Sequence, residues 1–316
     1  MANPSSQTPS DRASRAEGDR GHLLTEAINP ASADLDLLSP LELVDVINAE
    51  DAKAVAAVAS QREAVAKAIA LAAAALKAGG RIFYVGAGTS GRLGVLDAAE
   101  CPPTFRADPE QVQGIIAGGS NALVRSAEGK EDEWDGGKAA IAERAITDRD
   151  FVLGIAAGGT TPYVHGALAE ARDRGAKTGF FACVSEDSVP MQCDVNIRPL
   201  VGPEVVTGST RMKAGTATKL VLNAISTGAM VQIGKTYGNY MVDVTVSNVK
   251  LRDRALRTIQ KLTECDRSTA DNLLESAHLQ VKPALLMFWA HCTYDEAKQT
   301  LASCEGSLRR ARQQLG

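Results

Sequence analysis

Short runs of apolar residues alternate with segments of helical periodicity along most of the chain. The apolar runs predict five buried strands, at 82–85, 112–117, 151–155, 178–184 and 195–199. Strands that alternate with helices imply right-handed crossovers and a parallel sheet covered on both faces. We therefore expect an α/β fold with a doubly wound, parallel five-stranded sheet in three α-β-α layers.

Helix signals surround these strands. Ser39, Pro40 and Glu42 occupy the N-cap, N1 and N3 positions of a predicted helix. A long amphipathic helix is predicted over 50–78, where a glycine pair ends it, and another runs from within 207–218 to about residue 233.

The pattern changes towards both ends of the chain. Residues 1–22 are polar and lack the apolar segment of a signal peptide, so we expect a disordered tail there. From residue 266 onwards only three or four short helices are predicted. A domain boundary near residue 255 then separates a main domain at 23–255 from a small helical module at 256–316.

The first predicted strand runs into a glycine-rich stretch, Gly86 to Gly91, which predicts a tight turn before a short helix at 93–99. A helix N-terminus presents unpaired backbone N–H groups and a partial positive charge. A turn that also carries the hydroxyls of Thr89 and Ser90 therefore suits a phosphate group. The third strand meets a second turn of this kind at 156–162, again before a predicted helix.

Two prolines bear on the end of the first of these helices. The helix is expected to stop at Cys101, because Pro102 and Pro103 follow and a residue before proline avoids the α region. Glu100 would then lie at the carbonyl end of the helix, which disfavours a charged carboxylate by about 0.3–1 kcal/mol. A raised pKa would suit a general acid, and a solvated glutamate at a helix end is the alternative.

Composition and charge narrow the function classes. The chain is 45% hydrophobic with only 4% aromatic residues, which favours close-packed α/β layers. A net charge of −4 provides no global basic field for nucleic acid, and no apolar run is long enough to span a membrane. The six cysteines form neither a C-x-x-C pair nor a zinc-type cluster, which is typical of a reducing compartment. We expect a cytoplasmic protein.

The first turn also matches the G-x-G-x-x-G pattern of dinucleotide-binding proteins. Such a site needs an acidic residue at the end of the second strand to hold the ribose. The second strand here ends Ile-Ile-Ala-Gly-Gly-Ser, and the Lys-Ser/Thr pair of a P-loop is absent as well. Both observations disfavour a nucleotide site.

Longer motifs carry a family resemblance. The paired Gly/Ser/Thr turns resemble a sugar isomerase (SIS) domain, a phosphosugar-binding fold. The segments Gly86–Gly94 (GAGTSGRLG), Asp97–Thr104 (DAAECPPT), Glu204–Ala217 (EVVTGSTRMKAGTA) and Asn239–Asp243 (NYMVD) resemble the N-acetylmuramic acid 6-phosphate etherase family. The resemblance extends from about Thr25 to the C-terminus.

The resemblance implies a carbon–oxygen lyase that releases D-lactate from a muramic acid 6-phosphate and leaves N-acetylglucosamine 6-phosphate. The implied route is elimination across C2 and C3 of the open-chain sugar, followed by addition of water. It implies no metal and no other cofactor. By their positions in the motifs, Glu100 and Glu131 match the catalytic pair of the family. Without the resemblance, Glu131 would be interpreted as part of a charged turn.

The resemblance also implies a set of phosphate and substrate ligands. At the third-strand turn, family members commonly have Ala-Ala-Ser-Gly-Arg-Thr-Pro where this chain has Ala-Ala-Gly-Gly-Thr-Thr-Pro, so Gly158 lacks a hydroxyl and Thr160 replaces a cation. Glu204 is expected to contact a sugar hydroxyl or to form a structural salt bridge. Arg211 and Lys213 are substrate ligands or a solvated first helical turn. The binding residues expected are Gly88, Thr89, Ser90, Gly91, Thr160, Thr161, Glu204, Ser209, Thr210 and Lys213.

Two rival functions share the fold. A non-catalytic sugar-phosphate sensor resembling the glucokinase regulatory protein would bind a partner, and an aldose–ketose isomerase would also use a carboxylate base. The single SIS domain and the presence of both glutamates favour the lyase. The C-terminal helices resemble a ubiquitin-associated-like module, for which packing and subunit contact are expected, and the fold favours a homodimer.

Overall fold

The computed structural model describes residues 20–315. All but the last three residues of the predicted tail at 1–22 lie outside the described residues.

The central sheet has five parallel strands in the order β2-β1-β3-β4-β5. The strands are β1 (Ile82–Gly86), β2 (Val112–Ile116), β3 (Phe151–Ile155), β4 (Lys177–Phe181) and β5 (Val195–Ile197). Every residue of β1 and β3 is buried, as a strand covered on both faces requires. All five predicted strands and the three-layer α/β fold are confirmed.

Helices occupy most of the remaining chain. The helices of the first part are α1 (Pro40–Ser60), α2 (Arg62–Lys77), α3 (Gly88–Phe105), α4 (Trp134–Glu143), α5 (Pro162–Asp173) and α6 (Lys213–Gln232). A two-stranded hairpin, which the sequence did not predict, follows as β6 (Thr236–Tyr237) and β7 (Tyr240–Met241). The last helices are α7 (Val249–Thr263), α8 (Arg267–Ser276), α9 (Val281–Ala290), α10 (Tyr294–Ser303) and α11 (Leu308–Leu315).

The start of α1 follows the predicted signals, but its end does not. The Ser39 hydroxyl and the Glu42 carboxylate form a reciprocal capping box, with Pro40 at the first helical position. The prediction of one helix over 50–78 is wrong, because the chain turns at Gln61 and starts α2. Only two residues of α1 are buried, whereas α2 buries an alanine-rich face against β1, β3 and β5. A single straight helix would not combine a mostly exposed first half with a second half packed on the sheet in this way.

Helix α3 contradicts two local rules. It begins at Gly88, inside the stretch predicted as a turn, and it continues through Pro102 and Pro103 to Phe105 instead of ending at Cys101. Prolines remove two N–H donors there but adopt the helical φ angle. The carbonyl groups of both prolines accept hydrogen bonds from Thr245, through its side chain (3.1 Å) and its backbone N–H (3.4 Å), which secures the end of the helix.

The chain divides into two compact units. The first contains the described residues up to Ala98 together with Val112–Ser226, and the second contains Ala99–Gln111 together with residues 227–315. The boundaries predicted at residues 22 and 255 stay a prediction of domain organisation, and residue 255 lies within α7.

Each unit has its own core. In the first unit, buried side chains of the sheet and of α5 pack together around Phe83, Val152 and Leu168. In the second, α7–α11 enclose Leu256, Leu285 and other apolar side chains. Within residues 20–315, no helix is both apolar enough and long enough to cross a membrane.

Candidate functional site

The topology of the sheet places a crevice at the carboxyl ends of β1 and β3. The chain leaves β1 towards β2 on one side and leaves β3 towards β4 on the other, so the sheet changes winding direction between these neighbouring strands. Ligands of open α/β sheets bind at such a switch point. A cavity of about 230 Å³ lies there, lined by Arg20, Leu23, Glu26, Ala87, Gly88, Thr89, Ser90, Glu131, Asp132, Ala157, Gly158, Thr160, Thr161, Pro162, Gly208 and Thr210.

The first wall of the cavity is the N-terminus of α3. A Cβ atom on Gly86 would lie 2.7 Å from the Gly91 nitrogen, and one on Gly91 would lie 2.6 Å from Ile116 Cγ1, so these glycines let the helix begin directly against β1 and β2. The Gly91 N–H donates to the Ala87 carbonyl (3.3 Å). Gly91 therefore has a packing role. The N–H groups of Gly88, Thr89 and Ser90 precede this bond and have no intrahelical acceptor.

The second wall is the turn from β3 into α5. Pro162 starts the helix and Thr161 is its N-cap residue, as predicted, but the Thr161 side chain makes no capping hydrogen bond. The His165 Nε2–H donates to the Gly159 carbonyl (2.6 Å). Because His165 is buried and stacks against Trp134, it holds this turn in place. A second helix N-terminus thus faces the cavity.

Two of the predicted substrate ligands are buried structural residues. The carboxylate of Glu204 is fully buried and accepts the backbone N–H groups of Lys213 (2.8 Å) and Ala214 (2.9 Å), so it caps α6. Burial raises the pKa of Glu204, and these two hydrogen bonds oppose the rise. The Lys213 side chain, 1% exposed, donates to Glu50 (2.6 Å). Glu204 was expected to contact a sugar hydroxyl or to form a structural salt bridge. In the structure its carboxylate instead caps α6.

The segment before α6 contributes to the cavity through other residues. Gly208 and Thr210 line it, whereas Ser209 is absent from its lining among the described residues. Arg211 is exposed, in agreement with the solvated alternative.

Acidic residues are among those that line the cavity. Glu131 lies in a 3₁₀ turn, Lys130–Asp132, and its side chain is exposed. Glu131 lines both the first cavity and a neighbouring cavity of about 330 Å³, and Asp132 does the same. Among the described residues that line the first cavity, Arg20 is the sole cation. An anion in this site would be held mainly by helix N-termini and hydroxyl groups.

Arg92 gives the second cavity its shape. Its Nε–H donates to the Leu123 carbonyl (3.1 Å) and its Nη2–H to the Arg125 carbonyl (3.4 Å), so the side chain supports the loop after β2. Arg92 and Glu128 line this second cavity together with Ala117, Ala122 and the residues shared with the first.

The Asp97–Thr104 motif divides between two roles. Asp97 is buried and accepts a hydrogen bond from the Ser226 hydroxyl (3.2 Å), which fastens α3 to α6 within the first unit. Burial raises the pKa of Asp97, and hydrogen bonds from Ser226 and Tyr84 oppose the rise. Glu100 is exposed on α3, in the part that belongs to the second unit. Because α3 continues to Phe105, Glu100 does not lie in the last turn, and the helix-end argument for its acidity is wrong.

The arrangement supports anion binding beside acid–base chemistry. Two helix N-termini and the hydroxyl-bearing residues Thr89, Ser90, Thr160 and Thr161 line a cavity that Glu131 lines as well. Within residues 20–315, no group of three or more His, Cys, Asp or Glu side chains is placed to hold a metal ion.

The sequence did not predict several of the residues that line the first cavity. Arg20 and Glu26 come from the segment that precedes α1, which carries no glycine-rich motif. Asp132 is adjacent to Glu131 in a run of acidic residues. The spacing of these residues does not indicate which of them line a site.

Comparison with known proteins identifies relatives over nearly the whole chain. The family model for the N-terminal SIS domain of glucokinase regulatory protein matches residues 64–172, and the model for the C-terminal lid domain of that protein matches residues 238–283. The N-acetylmuramic acid 6-phosphate etherase of Synechococcus elongatus is 63% identical over 93% of this chain and 95% of its own length. The etherase of the same name from a Picosynechococcus species is 59% identical over 92% of this chain and 97% of its own, and that of Trichodesmium erythraeum is 57% identical over 92% and 95%.

Proposed function

This chain belongs to the N-acetylmuramic acid 6-phosphate etherase family, and we propose that it is a lyase that cleaves the lactyl ether of N-acetylmuramic acid 6-phosphate. The products are D-lactate and N-acetylglucosamine 6-phosphate. The choice of substrate rests on the family to which the chain belongs. The geometry of the two neighbouring cavities is consistent with that substrate.

The observation that best supports this function is the position of Glu131. Glu131 lines both cavities, one of which offers the N-termini of α3 and α5 to a phosphate. A substrate with its phosphate in the first cavity and its lactyl group towards the second would place the sugar carbons beside Glu131. That is where a proton must be moved.

The reaction needs one base and one acid. The base removes the proton from C2 of the open-chain sugar, the C3–O bond breaks, and the acid protonates the departing lactyl oxygen. Water then adds its oxygen to C3, and a proton returns to C2, so the net change is consumption of one water. We assign the two proton transfers to Glu100 and Glu131, because carboxylates perform such transfers and the family resemblance implies these two residues as the catalytic pair.

Lactate release is the direct test of this function. Purified protein incubated with N-acetylmuramic acid 6-phosphate should release one D-lactate per N-acetylglucosamine 6-phosphate formed, measured with a D-lactate dehydrogenase assay. In water enriched in ¹⁸O and deuterium, the sugar product should carry ¹⁸O at position 3 and deuterium at C2, measured by mass spectrometry and NMR. Label in the lactyl oxygen instead would contradict elimination across C2 and C3.

A regulatory function has one observation in its favour. Both family models that match the chain describe domains of glucokinase regulatory protein. Folded protein that binds N-acetylglucosamine 6-phosphate but releases no lactate would favour a sensor over the lyase.

We also propose that the protein works in the cytoplasm as a homodimer. All six cysteines are free, as is usual in a reducing compartment. Helix α1 leaves Leu41, Val44 and Val55 more than half exposed, and Ile28 and Leu37 in the segment before it are exposed as well. An apolar surface of this kind on a helix is typical of a protein interface, and a second copy of this chain is the expected occupant.

A charge placed on this surface should separate the copies. We expect Leu41→Asp to halve the mass measured by light scattering after size-exclusion chromatography, because the carboxylate would be buried without a partner at the interface. Val249→Asp is the matched control, since Val249 is similarly exposed but lies in the second unit. A Leu41→Asp protein of unchanged mass would exclude this surface as the dimer contact.

A further inference from the structure

Thr25 carries a buried hydroxyl group without a partner. The residue is 0% exposed, and its Oγ1 atom has no hydrogen-bond partner within residues 20–315. It lies in the 3₁₀ turn Leu24–Glu26, between Leu23 and Glu26, both of which line the 230 Å³ cavity. Buried hydroxyls are nearly always hydrogen-bonded, so an unpaired one beside a binding site requires an explanation.

The space next to this hydroxyl belongs to Gly158. A Cβ atom on Gly158 would lie 3.5 Å from Thr25 Oγ1 and within 4 Å of no other atom of a non-neighbouring residue in the described chain. The φ angle of Gly158 lies outside the left-handed region, so the backbone does not require glycine there. Gly158 lines the cavity and Thr25 does not. The Thr25 hydroxyl therefore lies buried directly behind the part of the cavity wall that Gly158 forms.

We propose that Thr25 is a phosphate ligand that donates its hydroxyl proton to a phosphate oxygen seated against Gly158. The turn that contains Gly158 leads directly into the N-terminus of α5, where backbone N–H groups also favour an anion. The bound oxygen fills the space of the missing side chain and gives the hydroxyl its acceptor. The assignment rests on the proposed phosphosugar site, and it adds a residue from outside both glycine-rich turns.

A hydrogen bond to a charged oxygen contributes about ten- to a hundredfold in affinity. Thr25→Val keeps the shape of the side chain and removes the donor, so the dissociation constant for N-acetylglucosamine 6-phosphate should rise at least tenfold. Thr25→Ser keeps the donor and should remain within about threefold of the unchanged protein. Gly158→Ala leaves Thr25 intact but fills the space of the bound oxygen, and should weaken binding as Thr25→Val does.

The experiment measures binding to the full-length protein by calorimetry, with inorganic phosphate as a competing ligand, and thermal unfolding without ligand. We expect both Thr25→Val and Gly158→Ala to weaken binding of both ligands. The unfolding temperature of ligand-free Thr25→Val should be equal to or above that of the original protein, because an unpaired buried hydroxyl has been removed. Thr258→Val, whose hydroxyl donates to the Arg254 carbonyl (2.9 Å) within α7, is a control in which binding stays unchanged.

The outcomes separate this assignment from the proposed function. If the original protein binds the sugar phosphate and Thr25→Val binds it equally well, the Thr25 assignment is wrong and the proposed function stands. If Thr25→Val weakens binding of the sugar phosphate but not of inorganic phosphate, the hydroxyl contacts the sugar and the phosphate assignment is wrong. If Thr25→Val unfolds, Gly158→Ala decides the question, and unchanged affinity in that variant overturns the proposal. Failure of the original protein to bind either ligand would refute the phosphosugar site itself.

Discussion

Replacing Glu131 with glutamine should lower the rate of lactate release by about 10²–10⁴-fold while leaving phosphosugar binding within a few-fold. Glutamine keeps the size of the side chain and its hydrogen-bonding capacity, but it does not accept a proton at neutral pH. Glu131 is exposed and lines both cavities, so loss of its carboxylate should affect the chemical step rather than the phosphate contacts. Steady-state lactate assays and calorimetry with N-acetylglucosamine 6-phosphate measure the two quantities separately.

The neighbouring Glu133 provides the matched control. It belongs to the same acidic segment, but its carboxylate pairs with Lys130 (2.6 Å) and it lines neither cavity among the described residues. Glu133→Gln should therefore retain turnover within about twofold. Equal losses in Glu131→Gln and Glu133→Gln would indicate a general effect of charge in this segment and would remove Glu131 from the catalytic pair.

Replacing Glu100 with alanine tests the other member of the proposed catalytic pair. If both glutamates transfer protons in one elimination, Glu100→Ala should also abolish lactate release with binding retained within a few-fold. The double variant should then be little worse than either single variant, because residues that act as a unit are non-additive. Unchanged turnover in Glu100→Ala would exclude the role that its motif implies.

The sheet could be predicted because its signals are local. A strand buried on both faces is a short continuous apolar run, and the Ser39–Glu42 capping box is complete within four residues. The anion-binding turns could be predicted for the same reason, since each follows its strand directly. The rule that proline ends a helix is also local, and it failed at Pro102 because hydrogen bonds from Thr245, distant in the sequence, secure the end of α3.

The site could be predicted only in part, because its lining comes from five separate segments of the chain. Nothing in the spacing of residues brings Thr25 beside Gly158 or Glu26 beside Gly208. The burial of individual side chains could not be predicted from the sequence either. Glu204 and Lys213 have the residue types of substrate ligands, and their structural roles depend on their near-complete removal from solvent.

The buried ion pair of Lys213 leads to the largest expected effect on stability. Lys213 Nζ donates to Glu50 Oε2 (2.6 Å), which also accepts a hydrogen bond from Asn29 (2.9 Å). Both charged side chains are nearly fully buried. Glu50→Gln would leave the Lys213 ammonium group without its ion-pair partner, and removal of one partner of a buried pair costs about 3–5 kcal/mol in the free energy of unfolding.

Denaturant titration at neutral pH measures this effect, and two further variants define its origin. Glu63→Gln removes an exposed glutamate 3.8 Å from Arg62 and should change the free energy of unfolding by less than about 0.5 kcal/mol. Glu50→Gln combined with Lys213→Met removes both charges and should recover much of the lost stability. A double variant as unstable as Glu50→Gln alone would show that packing, not the unpaired charge, accounts for the loss.

The same pair predicts a pH dependence with a definite sign. Burial alone would raise the pKa of Glu50, but hydrogen bonds from Lys213, Lys53 and Asn29 outweigh it and lower the pKa from 4.5 to about 2. A carboxylate whose pKa is lower in the folded state stabilises the fold above its unfolded-state pKa and loses that contribution as the pH falls through its folded-state value. The difference in unfolding free energy between the original protein and Glu50→Gln should therefore be constant above about pH 5 and shrink between pH 4.5 and 2. A difference that stays constant over this range would mean that the Glu50 carboxylate is not held by these partners.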